Sequence, residues 1–83
     1  MYYLYILECA DKTLYTGIAT DVERRVMEHN GDKLGAKYTS ARRPVKLVYS
    51  QKCNDRSTAT KEEIRIKKLS RSAKLKLIGK TMN

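Results

Sequence analysis

The chain predicts an α/β (α+β) domain built on a small, mostly antiparallel three-stranded sheet flanked by helices, in the order β-β-α-β-α-α. Three observations carry that prediction. Residues 2–9, 14–18 and 45–51 are rich in aromatic and β-branched side chains, the composition of strands. Apolar residues recur at helical spacing behind Asp21, behind Asp55 or Ser57, and behind Ser70. Finally, 83 residues support one core and no more, since a chain this short buries only about 60% of its unfolded surface. The expected domain covers 1–79, with 80–83 as a frayed tail.

The first strand, Tyr2 to Cys9, is apolar on both faces, so both sides of the sheet there should be covered. A polar break at Ala10–Thr13 has the length of a hairpin loop, and Leu14 to Ile18 returns antiparallel. Gly17 inside this strand marks a close backbone approach or a bulge. Thr20 or Asp21 should cap a helix running to about Asn30, with Gly31 as a left-handed terminator. Residues 33–44 have no periodicity and carry four basic side chains, a basic loop ended by Pro44. From Val45 to Gln51, Val45, Leu47 and Tyr49 alternate with polar residues, a third strand with one wetter face. The second helix is expected from about Ser57 to Leu69, and a third from Ser70 through Ile78, closed by Gly79.

Eighteen Lys and Arg against nine Asp and Glu give a net charge of +9, which makes a polyanion the default partner. The charge is uneven: residues 1–55 carry a net +2 and residues 56–83 a net +7. No apolar run is long enough to span a membrane and no basic leader precedes the first strand, so a cytoplasmic protein without membrane attachment is expected. Cys9 and Cys53 stand far apart beside a single histidine, which excludes a finger-type zinc site. Both read as small apolar side chains.

Several polar groups fall on apolar stripes. On the first helix Val22, Arg25, Val26 and His29 share one arc, so Arg25 either pairs with a carboxylate, Glu28 being the nearest, or lines a cleft. His29 is either a satisfied core histidine or a site residue. On the second helix Glu62 and Glu63 both lie in or beside the stripe of Ala59, Ile66 and Leu69, and the helical wheel does not choose between them. Tyr2, Tyr3 and Tyr49 read as core. Tyr5 and Tyr15 fall on the same face only if paired residue numbers sum to an even number, which a three-residue loop at Asp11–Thr13 achieves and a four-residue loop at Ala10–Thr13 does not. The even register is the one expected.

Taken in order, Tyr3-Leu4-Tyr5, Tyr15-Thr16-Gly17, Arg25 ten residues after Tyr15, His29 one turn on and Glu63 on a later helix resemble the GIY-YIG nuclease superfamily. His29-Asn30, the 35–39 and 42–49 segments, and the helix from Ala59 to Lys67 resemble its small stand-alone, uncharacterised bacterial branch. Tyr3 replaces the first glycine of the name motif, Thr16 the middle of the second, and Ile18 a lysine found in some relatives. The resemblance implies a sheet flanked by helices and cleavage of a nucleic-acid phosphodiester, DNA rather than RNA, with one Mg²⁺ or Mn²⁺. It implies Glu63 as metal ligand, Arg25 as the phosphate-stabilising group, Tyr5 and Tyr15 as the site tyrosines, and His29 as an auxiliary group. Tyr15 is expected as general base and Tyr5 as a positioning group.

Lys37, Arg42 and Arg43 in the basic loop, with Lys67 and Lys68 on the second helix, are expected to grip the nucleic-acid backbone. The leading expectation is therefore a metal-dependent endonuclease acting on DNA, damaged or branched structures included, with a protein partner for targeting. A non-catalytic basic binding module on the same scaffold is the alternative, and a protein-interaction domain with merely solvating charge the third.

Overall fold

The computed structural model describes residues 1–31 and 42–82. Strand β1 (Tyr2–Glu8) lies between β2 (Leu14–Ala19) and β3 (Lys46–Cys53), antiparallel to both. Helix α1 (Val22–Asn30) follows β2, while α2 (Arg56–Lys67) and α3 (Arg71–Met82) follow β3. The order is β-β-α-β-α-α, as the sequence predicts.

The central position of β1 explains its two apolar faces. Leu4 and Ile6 point into one cluster with Val48, Cys53, Ala59 and Ile66, covered by α2 and α3. Tyr5, Leu7 and Cys9 point into the other with Val45, against which Tyr15, Val22 and Val26 pack. Both thiols are buried and free.

The β1–β2 register pairs residues whose numbers sum to 22, so Tyr5 faces Gly17 and Leu7 faces Tyr15. The parity is even, and the loop has three residues, but these are Ala10–Lys12 rather than Asp11–Thr13. Cys9 and Thr13 close the turn by a 2.9 Å hydrogen bond. Lys12 takes the left-handed conformation (φ 71°), which a three-residue hairpin needs at its last position. The Asp11 carboxylate then accepts from the backbone N–H and the hydroxyl of Thr13, fixing the turn one residue earlier.

Three boundaries differ from expectation. Gly31 is extended (φ −87°, ψ 179°) and not left-handed; it stops α1 by leaving the helix while its N–H still donates to Glu28. Gly79 lies inside α3, which runs to Met82, and does not close it. A helix-interior glycine weakens a helix but does not end it unless its backbone turns left-handed. In β3 the alternation breaks: Ile6 pairs with Tyr49 but Leu7 with Leu47, so Val48 is an extra residue in the ladder. This bulge turns Val48 into the core and leaves Leu47 40% exposed, although alternation with Val45 and Tyr49 predicts Leu47 on the apolar face.

Side chains start each helix as the composition suggests. Asp21 accepts from the Arg24 N–H, Asp55 from the Thr58 N–H, and Ser70 from the Ala73 N–H. Along α2, Ile66 is fully buried while Ile64 is 50% exposed. Ile66→Ala should therefore cost about 2–5 kcal/mol in chemical denaturation, whereas Ile64→Ala should stay within about 0.5 kcal/mol of wild type.

Candidate active site

Tyr5 and Tyr15 project from the α1 side of the sheet because the register is even. Tyr5 does not stand upright on its strand but lies across Gly17. A Cβ on Gly17 would come 2.6 Å from the Tyr5 hydroxyl oxygen and 2.8 Å from its ring carbon Cζ. The bare backbone at Gly17 is therefore what lets the phenol reach across β2, the edge strand of the sheet.

Helix α1 brings two further groups to that phenol. His29 is completely buried, and its Nε2 shares a 3.0 Å hydrogen bond with the Tyr5 hydroxyl. Its ring also meets Tyr15 edge-on, with centroids 5.0 Å apart. Arg25, one turn earlier, does both things its position allowed. It donates to Glu28 at 2.9 Å, and it lines an open groove with Ala19, Thr20, Arg24 and Glu28. Arg25 also hydrogen-bonds the Tyr5 phenol, and Glu28 accepts from Arg24 as well, at 3.2 Å.

These neighbours set the protonation states. Burial, reinforced by Tyr15 and Glu63, pushes Tyr5 up to about 12 despite the opposing charge and hydrogen bond of Arg25. Tyr5 is thus a neutral phenol throughout the physiological range. Burial, with the Arg25 charge, lowers His29 below its ordinary 6.5, the Glu28 carboxylate opposing only in part. Burial works against the Arg25 charge, but its bonds to Glu28 and Tyr5 outweigh it and hold the guanidinium protonated.

Glu63 comes from α2, which packs against β2, the strand that the phenol crosses. Its charge acts directly on Tyr5. The Glu63 side chain is only 21% exposed and pairs with Lys67 at 3.4 Å. Glu62 is turned to Arg65 at 2.7 Å and Gln51, which distinguishes the two glutamates that the helical wheel left equal. No group of three His, Cys, Asp or Glu able to chelate a metal occurs among the described residues. A single carboxylate fits a hard cation that keeps most of its waters, Mg²⁺ or Mn²⁺, and does not fit zinc.

Of the expected backbone-gripping residues, Arg42, Arg43 and Lys67 also have partners within the chain. Arg42 is bound to Asp11 at 3.0 Å, and its carbonyl accepts from the Ala10 N–H, so it braces the hairpin. Arg43 donates to the Gly31 carbonyl at 2.6 Å, closing the end of α1. Lys67 sits on Glu63, and Lys68 caps α2 through its backbone with an exposed side chain. Lys37 lies outside the described residues.

Asn30 reads from the sequence as a helix end and as part of the His29-Asn30 pair, with no role of its own assigned. Its side-chain amide donates to the Val45 carbonyl at 3.1 Å and accepts from the Val45 N–H at 2.7 Å. The available signal was the pair His29-Asn30, a polar residue following an inward-facing one at a helix end.

This packing has two measurable outcomes. His29 binds its proton more weakly in the folded than in the unfolded protein, so the unfolded state takes up the proton first as pH falls. Stability by chemical denaturation should decline as pH drops from about 6.5 toward 5.5, and His29→Gln should remove that slope, there being one histidine in the chain. Gly17→Ala should cost about 1–3 kcal/mol, because the phenol must leave its place over β2 to admit the methyl. The loss should appear in the same denaturation measurement.

Comparison with known proteins identifies the family. Residues 1–76 match the GIY-YIG catalytic domain. The UPF0213 protein of Syntrophus aciditrophicus is 57% identical over 76 residues, covering 92% of this chain and 87% of that one. A UPF0213 protein of Natronomonas pharaonis is 51% identical over 78 residues, covering 94% and 91%, so the branch extends beyond bacteria to archaea. The solution NMR structure of a UPF0213 protein from Bacillus halodurans superposes with a TM-score of 0.61 at 44% identity, covering 95% of this chain and 84% of that one. A solution NMR structure from E. faecalis gives 0.64 at 40% identity, covering 98% and 85%. By the extent of the domain match and the identity to these relatives, the chain belongs to the GIY-YIG family, in its UPF0213 branch.

Proposed function

We propose that this protein is a divalent-metal-dependent endonuclease that hydrolyses phosphodiester bonds in nucleic acid, with DNA as the substrate. The observation that carries the reading is the convergence on one phenol: Tyr5 lies on Gly17, bonds His29 and Arg25, and feels the charge of Glu63. Four segments far apart in sequence meet there, and a scaffold that only binds polyanions has no use for a half-buried carboxylate at that point.

Hydrolysis requires an attacking water in line with the leaving oxygen and neutralisation of the charge that builds on the phosphoryl oxygens. Arg25 presents a planar fork to the non-bridging oxygens, exchanging the Glu28 carboxylate for phosphate. Glu63 is the residue that would hold a divalent cation, whose charge stabilises the developing oxyanions. For that exchange Lys67 must release the carboxylate.

Tyr5, its pKa pushed up to about 12, keeps its proton and acts by position, sharing a hydrogen bond with the His29 imidazole and offering its oxygen to orient water. Tyr15 is the group assigned to take the proton from the attacking water. The net +7 of residues 56–83 draws the backbone of the substrate to α2 and α3, with Lys68, Lys37, Arg42 and Arg43 as contributing cations.

Supercoiled and branched DNA, and structured RNA, incubated with Mg²⁺ or Mn²⁺ provide the test. The wild type should nick DNA, and Arg25→Ala and Glu63→Ala should each lower the rate at least about 100-fold. Nicking that survives both substitutions sinks the assignment. Salt-sensitive binding without cleavage would leave a basic nucleic-acid-binding module in its place.

A further inference from the structure

Asn30 touches none of the groups given a chemical role above, yet it adjoins His29 in sequence. Its carboxamide makes two hydrogen bonds to one residue, donating to the Val45 carbonyl at 3.1 Å and accepting from the Val45 N–H at 2.7 Å. The pair imitates one rung of an antiparallel ladder, with a side chain in place of a second strand. Val45 is buried and belongs to the same apolar cluster as Tyr5, Leu7 and Cys9. The carboxamide therefore ties the far end of α1 to the layer that holds the Tyr5 phenol.

The same end is also held by the bond of Arg43 to the Gly31 carbonyl and by the buried His29 ring. At its start α1 is tethered to β2 through Thr20 and Asp21 alone, and along its length His29 is the fully buried residue, with Val22 and Val26 half-buried. At 1.5 Å per residue, His29 stands about 10 Å along the axis from Val22, and Arg25 less than half as far. A tilt of about 10° about the start of the helix would carry His29 by roughly 2 Å and Arg25 by less than about 1 Å. The 3.0 Å bond between His29 and Tyr5 does not survive a displacement of that size. Arg43, donating to the Gly31 carbonyl, secures the chain just beyond the helix but not the side-chain layer beneath it.

We infer that Asn30 is a positioning residue, whose clamp on the Val45 backbone holds the His29 imidazole against the Tyr5 phenol. Arg25 is placed by the nearer half of the helix and is largely independent of the clamp. Only a side-chain amide supplies the donor and the acceptor together at this reach; aspartate keeps the bond from the Val45 N–H and loses the one to its carbonyl. The consequence for cleavage rests on the proposed function, whereas the positioning itself does not.

The chain contains one histidine, so ¹⁵N NMR of the imidazole reads its surroundings without interference. His29 faces Tyr5, Tyr15, Arg25 and Glu28, and in the wild type its titration midpoint should lie below 6.5. In Asn30→Leu the imidazole nitrogen shifts should change and the midpoint should rise toward 6.5. Asn30→Asp retains half of the clamp but adds a carboxylate that by itself raises the midpoint, so it is read on the imidazole nitrogen shifts at a pH where the ring is neutral; these should change less than in Asn30→Leu, and they decide the matter if the leucine variant does not fold. In the nicking assay kcat should fall by about tenfold to 100-fold with KM little altered. A folded variant with wild-type imidazole signals overturns the inference, whatever its activity. Altered signals in a protein whose wild type never nicks DNA uphold it and overturn the catalytic reading instead.

Discussion

Burying a phenol flat against a strand constrains every element around it. Tyr5 can cross β2 only where the neighbouring strand lacks a side chain, which fixes Gly17 as its partner and so fixes the register of the hairpin. The hydroxyl at the end of that ring is removed from water and needs a partner, which α1 supplies in His29. Because the imidazole is buried too, both groups are held neutral, and the contact is a hydrogen bond between uncharged partners rather than an ion pair. The hairpin, the placement of α1 and the approach of α2 to the edge strand are all arranged about this one contact.

The charged groups at the margin are held differently. Arg25 and Glu63 each carry a full charge that the free protein satisfies with a neighbour on the same helix, Glu28 for the one and Lys67 for the other. Such partially exposed pairs are weak and easily exchanged. The centre is therefore neutral and enclosed while the ionic pairs at its margin are exchangeable, a division that suits the proposed function.

What the sequence revealed was whatever depends on local pattern. The doubly apolar Tyr2–Cys9 run marks a central strand, Asp21 and Asp55 cap their helices, and the helical wheel places Arg25 and His29 inward with Val22 and Val26. Parity of residue numbers sufficed to put Tyr5 and Tyr15 on one face. The features that stayed hidden depend on contacts between distant segments. Whether Gly31 and Gly79 turn left-handed is decided by the path of the chain beyond them, and neither does. The different surroundings of Glu62 and Glu63, which the helical wheel left equal, rest on where Arg65 and β2 lie, and the pairing of Asn30 with Val45 spans 15 positions. The extra residue at Val48 reflects the demand of the core beneath it, which no alternation of side chains along β3 displays.

That irregularity also bears on how the molecule behaves among its own copies. β3 ends the sheet on the side opposite β2, and an outermost strand offers unpaired amides and carbonyls to any extended chain that drifts by. The bend at Val48 heightens the local twist, so a straight newcomer could zip along only part of it. On the same strand Lys52 is exposed and adds charge to the edge, while Lys46 is drawn to Glu8 at 3.5 Å. A detail that looks like a packing adjustment thus also makes this edge a poorer template for a further strand.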